Sequence, residues 1–585
     1  MGKKFKDSVT YIHIGQANKS VVKKSTTSFV KTSQYKNKVE TNSNNKIFIL
    51  IKVCRFCYAC SVNFLDQPCR ARDVGIEGRS IVCVCDATYC DTVTREAPAP
   101  GTFVVYTSSN AGQRFEKSYG VIQTDQTNPA DENEDINDDD DEDNPANYET
   151  SLLDRVILRV QTVRRYQVIE GFGGSVTDAA SINWRKLSDA TQLHFVNSYF
   201  SHEGLEYNLI RVPIGGADFS THPYTYNELP WNDAALTNYT LAPEDLFYKL
   251  PLIKLAQQVA TNKIKVTAST WSPPVWMKTN QRITGFGQVK PEFYQAYADY
   301  HLRFIEEYKK AEVDIWAITT TNEPVNGIVP FVQFNSLGWW PTALGRWVAN
   351  NLGPTIKNSP FNKTLILAVD DQRYLLPIFL RGMEQGDPKS MDYVDGIAVH
   401  YYGNFVPAHI LTMIQRRYPN KILLSTEACE GAMPWDLHKV EIGSWRRARR
   451  YITHILDDLN NYVVGWIDWN LCLDENGGPN WANNFVDAPV LVYGDRDEFI
   501  KQPMFYAMGH FSKFIPPQSQ RIGVVRRSLV TVGKFGVLTP QRTIVVVLHN
   551  TKRRELRVRV RISSTRYIEL IMEPQSVKTV EINHN

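Results

Sequence analysis

Beyond residue 90 the chain has almost no cysteine: seven of its nine lie between Cys54 and Cys90, and only Cys429 and Cys472 follow. The bulk of the fold is therefore not a disulfide scaffold. Long apolar runs are lacking too. No stretch of 18 uncharged apolar residues occurs, which argues against a membrane-spanning helix. No sign of charge dominates overall, the net being +3, but the balance is uneven. Residues 1–60 carry 12 Lys and Arg against 2 Asp and Glu, whereas the remainder holds 53 against 60. The folded body is mildly acidic, so nucleic acid is not an expected partner. Disorder and collagen are excluded for most of the chain, because its 585 residues are 43% apolar and 11% aromatic. That length suits two or three domains.

Residues 1–46, rich in Lys, Ser, Thr and Asn, cannot fold alone. They precede IFILIKVCRFCYAC, an apolar stretch interrupted by Lys52 and Arg55. Residues 1–65 read as a head outside the fold, either a secretory signal with an overlong basic front, cleaved near residue 60, or a mispredicted start or unrelated head. Cys69, Cys83, Cys85 and Cys90 follow within 22 residues and suggest two disulfides stapling a small module in an oxidising compartment. A zinc site is the rival reading, but C-x-C-x4-C lacks paired C-x2-C knuckles. Asn238-Tyr-Thr and Asn362-Lys-Thr are sequons compatible with secretion. Between Asp125 and Glu149 stand 12 acids and no Lys or Arg, a self-repelling run that reads as a lengthened surface loop.

From about residue 168 one theme recurs, a short apolar run and then an amphipathic helix. The runs are VIEGFGGS, YNLIRVPI, KVTAST, DIWAITTTNE, TLILAVDD, VDGIAVHYY, KILLSTEA and VVGWIDWN. Runs without polar alternation are what strands buried on both faces look like. Among the helices, PEFYQAYADYHLRFIEEYKKA puts Phe293, Tyr297, Tyr300, Phe304 and Tyr308 on one stripe, and Ser444 stands as N-cap of another. Eight repeats in about 300 residues predict a (β/α)8 barrel; a doubly wound sheet is the weaker alternative. From about residue 520, alternating strands with turns between them predict an antiparallel β module, shared with similar strands in 96–165. GFGGS fails the dinucleotide fingerprint at Val176, and its glycines read as permitting a tight turn.

Barrel enzymes build their sites at the C-terminal strand ends. Here those ends carry Arg211, Trp271, Asn322-Glu323-Pro324, Asp370-Asp371-Gln372-Arg373, His400 and Tyr402, Glu427, and Asp468-Trp469-Asn470. Two Glu at the tips of strands four and seven face one mouth. Glycoside hydrolysis needs such a pair, one carboxylic acid to protonate the leaving oxygen and one carboxylate to attack the anomeric carbon. Indole rings suit the C–H faces of sugars. Taken singly, each residue has a bland reading: Glu427 as an ion-pair partner, Arg211 and Asp370 as a structural pair, Trp469 as core. Their joint placement is what points to chemistry.

At these residues the chain resembles the lysosomal acid β-glucosidases (glucosylceramidases, or glucocerebrosidases), retaining enzymes of glycoside hydrolase family 30. The resemblance runs from about Cys69 to the C-terminus. It is carried in order by VCVCDATYCD, EGFGGSVTDAAS, YNLIRVPIGGADFS, WSPPVWMKTN, TTTNEP, AVDDQR, GIAVHYY, STEAC, GWIDWNLCLDENGGPNWANNFVDAPV and KQPMFYAMGHFSKFIPPQSQRIG. It implies Glu323 as acid/base and Glu427 as nucleophile. Asp218, Trp271, Asn322, Trp469 and Asn484 become glucose contacts, and Arg211, His400 and Tyr402 supporting or contacting residues. It also implies the disulfides Cys69–Cys83 and Cys85–Cys90; no spacing in the sequence calls for a metal or a cofactor.

The implied architecture is a small disulfide-bearing β domain with three strands (66–95 plus 471–503), a β-sandwich from both chain ends (96–167 plus 520–585), and the barrel (168–470 plus 504–519). The implied reaction is hydrolysis of glucosylceramide to glucose and ceramide at a membrane surface. A saposin-type activator and anionic lipid are implied as helpers, in a lysosomal or secreted setting, for a peripheral rather than transmembrane protein. Trp339, Trp340 and Trp435 are the aromatic candidates for lipid contact, each expected to be packed. A relative acting on another β-linked glycan, or a silent sugar- or lipid-binding relative, are the competing readings. Asp86 stands where relatives can carry a glycosylated Asn, and Val332 where they often carry Tyr.

Overall fold

Eight short strands, buried along almost their whole length, close into an all-parallel barrel in the computed structural model, which describes residues 66–125 and 155–584. The expected head and the acidic run past Asp125 lie outside the described residues. The strands are β1 Gly171–Ser175, β2 Leu209–Ile214, β3 Lys265–Thr270, β4 Ile315–Thr319, β5 Leu365–Gln372, β6 Gly396–His400, β7 Ile422–Glu427 and β8 Val463–Asn470. Each pairs with its successor in chain order, and β8 pairs with β1. The closed ring meets the (β/α)8 expectation and leaves no place for a doubly wound sheet. Leu209, Ala317, Leu367, Ala398, Leu424 and Ile467 form an apolar cluster of their own, drawn from strands around the ring.

GFGGS is β1 itself rather than a tight turn. Its glycines answer to close approach: a Cβ on Gly173 would lie 1.8 Å from the carbonyl oxygen of Leu209 on β2. Only a bare Cα lets β1 and β2 lie that near.

Helices α1 Asp178–Arg185, α2 Tyr294–Lys310, α3 Trp445–Asn460 and α4 Pro503–Ser512 illustrate how the outer layer is specified. Thr177 caps α1, its hydroxyl accepting the Ala180 N–H at 3.0 Å. On α2 the stripe Tyr297, Tyr300, Phe304 and Tyr308 is fully buried, while Phe293 stands in a short turn just ahead. Ser444 occupies the N-cap position of α3 without capping it. Its hydroxyl instead donates to Glu441 Oε2 at 3.0 Å. Glu441 also binds Arg79, Arg446 and Arg447, and this cluster of cations diverts the serine.

The disulfides Cys69–Cys83 and Cys85–Cys90 are present. They flank Val82–Asp86 in a sheet of five strands rather than three, because the 471–503 segment adds Leu473–Asp474, Val490–Tyr493 and Glu498–Lys501. A ten-stranded sheet takes strands from both chain ends. Thr102–Ser109 pairs with Ser576–Ile582, and Arg155–Val168 lies between Gln520–Arg526 and Leu556–Arg561. Phe103 and Val105 near one end share a core with Ile568 and Met572 near the other, so the sheet folds over on itself as a sandwich. α4 joins sandwich to barrel: Phe115 lies 5.2 Å from Tyr506 between ring centroids.

Candidate active site

The polar strand ends converge on a cavity of about 400 Å³. Asp218, Trp271, Asn322, Glu323, Tyr402, Glu427, Trp469 and Asn484 line it, together with Asn326, Asp371, Gln372 and an apolar margin that includes Phe334 and Phe405. Val332 stands outside this lining. Arg211 and His400 do not reach the cavity. They lie beneath it, and each is bonded to its carboxylates.

Arg211 is the third residue of β2 rather than its end, which puts its guanidinium inside the barrel. There it donates to Glu427 Oε2, to Asp370 Oδ2 at 2.8 Å and to Asn322 Oδ1 at 2.9 Å. Its plane sits below the indoles of Trp271 and Trp469, 4.9 and 5.3 Å from the ring centroids. The two indoles stack 16° apart at 5.1 Å. A delocalised cation tolerates this position, where burial would penalise a point charge.

β5 supplies two consecutive aspartates to the site, which a regular strand cannot do. A register shift between Val369 and Asp371, with positive φ at Val369 (77°) and Asp370 (56°), makes it possible. Glu323 itself has φ 40°. Such strained backbone persists where the surrounding contacts over-determine it. Asp370 takes His400 Nε2 at 3.0 Å, Ser269 Oγ at 2.9 Å and Thr426 Oγ1 at 2.6 Å, besides Arg211. Burial opposes its charge, but Arg211 and His400 hold the carboxyl far below the usual range. Among the described residues Asp371 accepts only from the backbone N–H groups of Gln372 and Val325. Burial, with the Glu323 carboxylate beside it, pushes it up to about 8.

Glu323 and Glu427 face one another across the cavity. One oxygen of each and a His400 ring nitrogen all lie within 4.8 Å of one another. Glu427 Oε1 accepts from Tyr402 OH at 2.8 Å. Burial pushes the Glu427 carboxyl upward against the pull of His400 and Arg211, and the Glu323 carboxylate adds to the rise. Burial would likewise lower the His400 imidazolium, but the charges of Glu427 and Asp370 overcome it and hold it at about 10. His400 Nδ1 meets Glu323 Oε1 at 3.0 Å.

Across the cavity, Asp218 Oδ2 accepts from Asn484 Nδ2 at 2.9 Å and from Asn480 Nδ2 at 3.3 Å. Burial drives Asp218 up to about 7 against these donors. Asn326 and Asn480 were not singled out from the sequence, and Gln372 was named only as one of the polar residues ending its strand. Asn326 sits three residues past Glu323 in a short turn whose path no periodicity predicts, while Gln372 ends β5 past its irregular stretch.

Residues 169–515 match the TIM-barrel domain of glycosyl hydrolase family 30, and 518–580 its β-sandwich domain. The chain is 38% identical to the lysosomal acid glucosylceramidase of Mus musculus over 520 residues, 88% of this chain and 95% of the mouse protein. It is 36% identical to putative glucosylceramidase 3 of Caenorhabditis elegans, over 91% of this chain and 98% of that protein. Among solved structures, SrfJ of Salmonella typhimurium superposes with a TM-score of 0.71 at 23% identity, covering 83% of this chain and all of SrfJ. With a matching barrel, a matching sandwich and near-complete coverage of its relatives, the chain belongs to glycosyl hydrolase family 30.

Proposed function

We propose that this chain is a retaining β-glucosidase that hydrolyses glucosylceramide, with Glu427 as nucleophile and Glu323 as acid/base. The observation that carries this reading is the pair of facing carboxylates. Oxygens within 4.8 Å of one another fit the roughly 5 Å separation of double displacement and fall short of the roughly 6.5–9.5 Å separation of an inverting pair. Glu427 attacks the anomeric carbon while Glu323 protonates the departing oxygen. Water, deprotonated by the ionised Glu323, then releases glucose with its configuration retained. Arg211 and the His400 imidazolium supply the counter-charge that lets a buried Glu427 react as a carboxylate. Arg211 also fixes Asn322: its carbonyl is taken, so the amide N–H2 is left to meet a sugar hydroxyl.

Membrane contact is assigned to the rim. Phe331 after β4, Phe405 after β6, and Trp435 and Leu437 after β7 are at least 70% exposed, on the loops that surround the opening. Trp340 is half exposed, so neither it nor Trp435 is packed as the sequence suggested; Trp339 is buried. No helix among the described residues is long and apolar enough to cross a membrane. A saposin-type activator and anionic lipid would act at this rim. Disulfides and exposed sequon asparagines Asn238 and Asn362 support a lysosomal or secreted location.

The test is trapping with a mechanism-based β-glucosyl epoxide, then peptide mapping. The expected label is on Glu427, with glucosylceramide in vesicles protecting against it. A label elsewhere, or hydrolysis of another β-glycoside in preference to the glucoside, overturns the assignment. In Glu323→Gln, an aryl β-glucoside with a good leaving group should retain far more turnover than the lipid. Equal losses on both would contradict the acid role.

A further inference from the structure

We propose that Asn326 is the positioning residue that serves Glu323 in both of its protonation states, and that the proton Glu323 transfers is carried on Oε2. This rests on the acid/base reading of Glu323. Three groups donate to that carboxylate. Gln372 Nε2 reaches Oε1 at 2.9 Å and His400 Nδ1 reaches the same oxygen at 3.0 Å, whereas among the described residues Asn326 Nδ2 alone reaches Oε2. The two donors on Oε1 are fixed. Gln372 Oε1 accepts the Gly403 N–H at 2.7 Å, so its amide cannot turn over without losing that bond. His400 is pinned by Asp370 through Nε2 at 3.0 Å, which leaves Nδ1–H facing Glu323. An oxygen that permanently accepts two N–H groups is the carbonyl oxygen of the acid form, and the proton falls to Oε2.

Asn326 differs from the other two. Its side-chain carbonyl makes no hydrogen bond among the described residues, it lines the cavity, and it is only half buried. A half turn about its last side-chain bond exchanges N–H for C=O at nearly the same place. In the acid form Oε2–H donates to Asn326 Oδ1 or to the glycosidic oxygen. As that proton moves to the glycosidic oxygen, the bond from that oxygen to the anomeric carbon breaks and the Glu427–carbon bond forms. The Asn326 amide then turns its N–H toward the carboxylate left behind. In the second step a proton from water returns to Oε2 as hydroxide oxygen displaces Glu427.

Asn326→Ala loses a bond in each state, but the charge-assisted one to the carboxylate is about twice as strong as the neutral one to the acid, so its loss favours the acid. Asn326→Ala should therefore move the basic limb of the kcat/KM–pH profile up, by about 0.5 to 1 unit for one hydrogen bond to a carboxylate. Asn326→Asp, which keeps the side chain's size but adds a like charge, should move it further in the same direction. Profiles would be measured on an alkyl β-glucoside, whose poor leaving group makes the first step depend on the Glu323 proton, with the residual turnover of Glu323→Gln profiled alongside. A limb that stays put in either Asn326 variant, whatever happens to the rate, overturns the inference. A limb that persists in Glu323→Gln overturns the acid assignment itself, and the inference with it.

Discussion

Tyr402 shows how much of this site depends on single hydrogen bonds. Its hydroxyl donates to Glu427 Oε1, favouring the charged nucleophile against burial. Tyr402→Phe removes that preference, so Glu427 would take up a proton at higher pH than before. The acid limb of the kcat–pH profile should rise by about one unit, with kcat near the optimum down roughly tenfold. An unmoved acid limb would mean that the hydroxyl does not bear on the nucleophile. Both carboxylates were legible as site candidates because two Glu end the apolar runs of strands four and seven at one mouth, a joint placement that a lone ion-pair Glu does not explain. Asp371 and Gln372 were visible as polar strand-end residues, but their roles were not. The bulge at Val369–Asp370 turns two consecutive side chains to one side, which a period of two cannot anticipate.

At the scale of elements, Glu441 joins the disulfide module to the barrel. It accepts from Arg79 of the module and from Ser444 and Arg446 at the start of α3. Burial works against its charge, yet Arg79 and Arg447 bring the carboxyl down to about 2. A carboxyl lower in the folded than in the unfolded chain stabilises above the ordinary range near 4.5 and loses that contribution as pH falls toward 2. Acidifying from pH 6 to 3 should therefore lower the melting temperature of the parent more than that of Glu441→Gln. The difference should correspond to about 1 kcal/mol after solvent screening. Equal losses would show that the cluster adds nothing. Ser444 was readable as the residue before α3 but not as a partner of Glu441, because the arginines that recruit it are brought together only by the fold. The eight strands, by contrast, announce themselves locally, since burial on both faces leaves an uninterrupted apolar signature.

For the whole molecule, the sandwich depends on both ends of the chain. Ser576–Ile582 lies between Thr102–Ser109 and Ile544–Asn550, with its side chains buried. A chain ended before Ser576 would bare two strand edges and the Phe103–Val105–Val546 face. It should be insoluble or rapidly cleaved in limited proteolysis, whereas the full chain resists. A truncated form as protease-resistant and active as its parent would contradict this dependence. Pairings of this span are not encoded in any local pattern. Alternating strands in 96–165 and beyond 520 indicated β structure at both ends, while their mutual order had to come from packing.

The ring of strands has a consequence for biogenesis. β1 needs β8, whose last residue is Asn470, as its second neighbour. During synthesis the edge of Gly171–Ser175 therefore stays open until some three hundred further residues have emerged. For about half of translation the nascent polypeptide offers a glycine-rich, uncovered margin, the kind of unpaired edge that invites misassociation before the ring closes.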